Sequence, residues 1–102
     1  MARKLPSVVQ PASWAIPDIA ALGQIVRNQR AIHALRIDDA AALCGVSPSV
    51  LSRLENGRPV TLDTLLLVLN GLGLHMLVLP ARHAHAIKPA LQSLLPTEES
   101  AP

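Results

Sequence analysis

The sequence predicts an all-α bundle followed by one short C-terminal β-strand that pairs across a homodimer. Three observations predict it. Half of the 102 residues are apolar, yet Trp14 is the only aromatic. Alanine and leucine cost little in a helix, whereas aromatic strand formers are missing. Residues 18–72 carry apolar side chains at helical spacing, divided by capping and stop signals. Residues 74–79 then form an apolar run between Gly73 and Pro80, with no second strand in the chain to pair with.

Residues 1–17 contain Pro6, Pro11 and Pro17 and read as a flexible extended arm, because proline restricts itself and the residue before it. Arg3 and Lys4 in this arm either stay solvated or touch an anionic partner. A first helix begins near Asp18, a capping residue type, and runs to about residue 33 or 34. Ile19, Leu22, Val26 and Gln29-Arg30 follow helical spacing, with Ile25 and Ile32 beside the stripe. A second helix covers 37–44. Asp38 and Asp39 suit the positive end of its dipole, and Ala40, Ala41, Leu43 and Cys44 are expected to pack tightly. Gly45 stops it, since glycine accepts left-handed backbone.

The third helix is announced by Ser47 as N-cap and Pro48 at the first helical position, and Asn56-Gly57 ends it. Leu51 and Leu54, with Val46, are expected to point into the core. Ser49, Ser52, Arg53 and Asn56 fall at i, i+3, i+4 and i+7 and make one polar outer stripe. After a connector of Arg58, Pro59 and Val60, Thr61 caps a fourth helix to about residue 72. Its predicted core stripe is Leu62, Leu65, Leu66, Leu69 and Leu72. Leu67 and Val68 lie off that stripe, so a second apolar face is left for another partner. In the strand, Leu74, Met76, Leu77, Val78 and Leu79 are the candidate dimerisation residues. A lone strand leaves backbone groups unpaired, and the same strand of a second copy, antiparallel about a two-fold axis, would pair them. Residues 81–102 read as a tail with a short helix over 88–95, limited by Pro89, and a disordered end over 97–102.

The formal charge is +2 and the isoelectric point about 9.3, so any basic surface has to be local. Cys44 is the sole cysteine, which excludes an intrachain disulfide and suits a reducing compartment. No apolar run is long enough to span a bilayer and no signal peptide is evident, so the chain reads as cytoplasmic. Cys44 lies at an apolar helix position with no base nearby in sequence, which favours packing over nucleophilic chemistry. His75, His83 and His85 do not amount to the three or four convergent ligands of a metal site, so no metal is expected. His33 reads as a helix-end residue. No phosphate-binding loop, zinc-protease motif or hydrolase triad is present, so neither catalysis nor a cofactor is expected.

The run Gly45-Val46-Ser47-Pro48-Ser49-Val50-Leu51-Ser52-Arg53-Leu54-Glu55-Asn56-Gly57 resembles the Cro/repressor-type (XRE) helix-turn-helix family. Leu22-Gly23 followed by Arg27 and Arg30 is similar to that family's first helix. The resemblance covers residues 18–73 and implies a lambda-repressor-like bundle. A strand after the fourth helix, ending at Pro80, looks more like the HipB-type antitoxins, which are dimeric repressors that also bind a HipA-type kinase toxin. By the same resemblance, Pro48, Ser49, Ser52 and Arg53 face base edges, Ser47 and Asn56 bind phosphate, and Arg30 and Glu55 form a structural ion pair. The family commonly has Thr-Gln where this chain has Arg36-Ile37, and a base-reading Gln where it has Pro48. Readout is therefore expected to lean on Arg53, with Arg36 replacing a lost phosphate contact. Arg58 completes the candidate DNA-binding set.

The chemistry suits that role. A helix fits the major groove, short serines allow close approach, and an arginine can donate two hydrogen bonds to a guanine edge. The expected organisation is an arm over 1–17, a DNA-binding and dimerisation domain over 18–80 and a tail over 81–102. The expected function is a repressor of an inverted-repeat operator, as the antitoxin of a HipBA-like pair. The alternatives are a stand-alone or phage-type regulator, or an interaction module that neutralises an enzyme without reading DNA.

Overall fold

The computed structural model describes residues 15–94. Most of the predicted arm and the disordered end predicted over 97–102 lie outside the described residues. Five helices follow in order: α1 (Ile19–Ile32), α2 (Ile37–Cys44), α3 (Pro48–Glu55), α4 (Leu62–Gly71) and α5 (Ala84–Leu94).

Three helix starts rest on side-chain caps. Asp18 Oδ1 accepts from the Ala21 amide at 2.9 Å, Ser47 Oγ from Val50 at 3.2 Å, and Thr61 Oγ1 from Thr64 at 3.2 Å. Each bond satisfies one of the amides that a helix start leaves without an internal partner. α2 has no such cap and begins instead with Asp38 and Asp39 in its first turn. Left-handed residues end the helices. At Gly45 (φ 75°) the Val46 amide donates back to Ala41 O at 3.0 Å; at Gly57 (φ 75°) Arg58 donates to Arg53 O at 2.9 Å. α1 ends the same way without glycine. Ala34 takes φ 54° while Leu35 donates to Arg30 O at 3.0 Å.

One apolar cluster joins α1 through α4. Leu22 and Val26, Ala40, Ala41 and Cys44, Leu51 and Leu54, and Val68, Leu69 and Leu72 are its buried members. The face of α4 differs from the sequence expectation. Val68 is fully buried, while Leu62 and Leu66 are 62% and 46% exposed. The cause is Gly71, which shares a face with Val68. A Cβ at Gly71 would lie 2.6 Å from Cys44 Sγ and 2.8 Å from its Cα, so α2 and α4 approach where both are small. α2 likewise packs through Ala40, Ala41 and Cys44, leaving Leu43, predicted as packed, 60% exposed.

Residues 74–80 correct the sequence reading as well. No strand forms among the described residues, because a strand needs a ladder partner and a single copy offers none to this run. The final helix starts at Ala84, ahead of the predicted 88, after a tight 3-10 turn over Ala81–His83. Pro89 lies inside it, supplying no amide for the bond back to residue 85.

The joint between α1 and α3 fixes the site described below. Gly23 is buried, and a Cβ there would run into the Leu54 carbonyl and come within 3.1 Å of the Glu55 carbonyl. Two turns further along α1, Arg30 Nε and Nη2 donate to Glu55 Oε2 and Oε1, each at 2.8 Å. Arg30 Nη1 also donates to Leu35 O at 3.1 Å. The two side chains are only 8% and 5% exposed. A buried fork of this kind has one geometry, so it sets register as well as distance. On the other side, Gln29 Nε2 donates to Leu72 O at 3.0 Å and ties α1 to the end of α4.

Gly23→Ala is expected to cost about 1–3 kcal/mol through overpacking against the α3 backbone. Glu55→Ala strands a buried guanidinium and is expected to cost about 3–5 kcal/mol. Urea denaturation measures both, and a change within about 0.5 kcal/mol of the parent, as for an inert surface position, contradicts the joint.

Candidate nucleic-acid interface

α3 is short, and its orientation comes from what it buries. Leu51 and Leu54 have no exposed surface, and Val46 in the preceding turn is half-buried. The opposite side of α3 therefore faces outward. Ser49, Arg53 and Asn56 are exposed there, Pro48 is exposed at the first helical position, and Ser47 is exposed at the cap. Ser52 is half-buried, less outward than the spacing alone implies. Arg58 is exposed just past α3, and Arg36 is exposed at the start of α2 without capping it through its side chain.

Several of these side chains already hold hydrogen bonds within the chain. Ser47 Oγ accepts from the Val50 amide and lies 3.3 Å from Ser49 Oγ. Asn56 Nδ2 donates to Ser52 O at 2.8 Å and reaches Ser52 Oγ at 3.4 Å. The two positions that the resemblance assigns to phosphate thus also finish the two ends of α3. Arg53 Nη2 donates to Pro59 O at 3.1 Å. That bond uses one of the five guanidinium N–H groups and holds the side chain against the connector.

Three residues position this surface through contacts that sequence reasoning did not assign to them. Gly23 and Gly71 are contact points between helices, and Gln29 bridges α1 to α4. The signal for the glycines was present, since an isolated glycine within a helical stripe implies a packing reason. Gln29 falls on the helical stripe of α1, but spacing cannot show its partner, a backbone carbonyl 43 residues away.

The other candidates take these places. Cys44 is buried, its thiol 3.6 Å from the Val68 carbonyl, and burial pushes its pKa up, so it stays a protonated packing residue. Among the described residues no group of three or more His, Cys, Asp or Glu side chains could hold a metal ion. No described helix is long and apolar enough to cross a membrane. Of the candidate dimerisation residues, Met76, Leu77 and Val78 are exposed, while Leu74 and Leu79 are half-buried.

This is a surface that can meet a nucleic acid: a helix with hydroxyls and a guanidinium outward, held from behind by a packed core. A family model described as Helix-turn-helix matches residues 26–79, more than half of the chain and all of α2, α3 and α4. No curated protein matches the chain. The protein belongs to the helix-turn-helix family of DNA-binding transcription regulators, of the Cro/XRE type.

Proposed function

We propose that the protein is a sequence-specific transcriptional repressor that binds, as a homodimer, an inverted-repeat operator in double-stranded DNA. The observation that carries this reading is the two-sidedness of α3. Leu51 and Leu54 are fully buried while Ser49 and Arg53 are exposed on the other side. A major groove presents a distinct donor and acceptor pattern for each base pair, and Arg53 has the fork to read guanine. Ser47, Asn56, Arg36 and Arg58 contact phosphates, which fix register without reading sequence.

The homodimer reading rests on residues 74–79. Val78 is 83% exposed, and no ladder partner for this run exists among the described residues. The same run of a second copy, antiparallel about a two-fold axis, pairs the open backbone groups. Two copies of α3 then sit about one DNA turn apart, roughly 34–36 Å. The finer reading is the antitoxin of a HipBA-like pair, acting in the cytoplasm and without catalysis of its own. The exposed Leu62, Leu66 and Leu67 of α4 support it, because they offer a second apolar face for a HipA-like kinase toxin.

Operator selection from genomic fragments, followed by titration at physiological salt, tests the reading. Arg53→Ala is expected to lose about 1–3 kcal/mol of preference for the selected operator over random DNA. Arg36→Ala and Arg58→Ala are expected to weaken both DNAs alike and to lower the salt slope by about one each. Equal loss on both DNAs for Arg53→Ala contradicts direct readout. A monomer by light scattering at micromolar concentration contradicts the dimer.

A further inference from the structure

We propose that the N-terminal segment of the same chain, residues 1–14, lays the Trp14 indole into an apolar groove between α1, residues 74–79 and α5. The groove has a volume of about 680 Å³. Leu22 and Ile25 of α1, Met76 and Val78, and Ile87 and Leu91 of α5 are among the residues that line it. α5 has no fully buried residue, so its apolar stripe is open to an occupant. The volume and the apolar lining are those of an apolar binding pocket, so an indole fills part of the groove and leaves room for apolar neighbours from its own segment.

The chain itself supplies the occupant. Ala15 and Ile16, the first described residues, both line the groove. Trp14 is one peptide bond from Ala15, about 3.8 Å between Cα atoms. It is the only aromatic residue of the chain, and Leu5, Val8 and Val9 lie upstream of it. Leu94, where the described residues end, also lines the groove, but the chain beyond it carries Glu98 and Glu99, whose carboxylates suit water rather than an apolar wall. Arg3 and Lys4 lie ten or more residues from Trp14, whereas Glu98 is four residues past Leu94, so composition next to the groove selects the N-terminal segment. Attachment selects it over a second copy, which must also meet the cost of association. An indole in this place needs an acceptor for its N–H, and His85 and Gln92 on the lining provide ring-nitrogen and amide-oxygen acceptors. This inference is independent of the DNA reading.

The intrinsic fluorescence of the full chain tests it. With one tryptophan and no tyrosine or phenylalanine, the emission reports Trp14 alone. The expected emission is blue-shifted from that of free N-acetyltryptophanamide, quenched several-fold less by acrylamide, and unchanged on dilution from micromolar to nanomolar. Ile87→Glu and Leu91→Glu should each move it to the red and restore quenching while the far-ultraviolet circular dichroism holds. Trp14→Ala, which leaves α5 untouched, should bind an apolar dye such as anilinonaphthalene sulfonate more strongly than the parent. Solvent-like emission in the parent overturns the proposal, as does no gain of dye binding in Trp14→Ala. Protection lost on dilution assigns the groove to a second copy instead. Protection that survives both α5 substitutions places the indole elsewhere.

Discussion

The buried fork between Arg30 and Glu55, together with the glycine contact two turns away, is the constraint on which the rest of the molecule depends. An eight-residue helix does not hold its shape or direction in water by itself, because helices of that length are marginal without tertiary packing. Leu51 and Leu54 give α3 its hold on the core, but apolar packing alone permits small rotations and slides. The paired hydrogen bonds at 2.8 Å permit one relative position of Arg30 and Glu55, and Gly23 lets the two backbones come close enough to make them. The outer stripe of α3 inherits its direction from this joint. A charged pair in the interior is weak evidence for stability, since the desolvation of two ions opposes their attraction. Its consequence here is a fixed register between the scaffold and the surface that meets DNA.

Much of this was legible in the residues themselves. Asp18, Ser47 and Thr61 are capping types and cap their helices through hydrogen bonds. Gly45 and Gly57 sit where the backbone turns left-handed. The division of α3 into Leu51 and Leu54 on one side and Ser49 and Arg53 on the other follows from spacing alone. What was not legible had specific causes. α4 carries leucines on more than one face, so its sequence leaves the buried face ambiguous, and its rotation is decided by Gly71 against Cys44. The end of α1 is marked by Ala34, a residue with no preference for left-handed backbone, where roughly 1–2 kcal/mol of steric cost is tolerated. α5 begins before Lys88 and runs through Pro89, contrary to the usual reading of proline as a boundary. Ser52 lies on the predicted polar stripe but is half-buried, with its hydroxyl near the Asn56 amide, which spacing cannot convey.

The apolar surface that the described chain leaves open lies away from α3. It consists of the outer leucines of α4, the run 74–79 and the inner stripe of α5. The outer leucines of α4, residues 75–79 and α5 contribute no buried member to the core, and only Leu74 of the run packs against it, so their composition calls for occupants of their own. The polar surface, by contrast, is finished from within: caps, connector and ion pair hold each group of α3 before any ligand arrives. Preorganisation of this kind lowers the ordering cost of binding at the surface where specificity is set.

The central claim, that the outer face of α3 enters the major groove, is tested most directly by methylation interference on a selected operator fragment. Methylated guanine N7 projects into the major groove, whereas methylated adenine N3 projects into the minor groove. The account predicts that binding is blocked by guanine methylation in two patches about one helical turn apart. Interference confined to adenine N3, or none at either base, would contradict it.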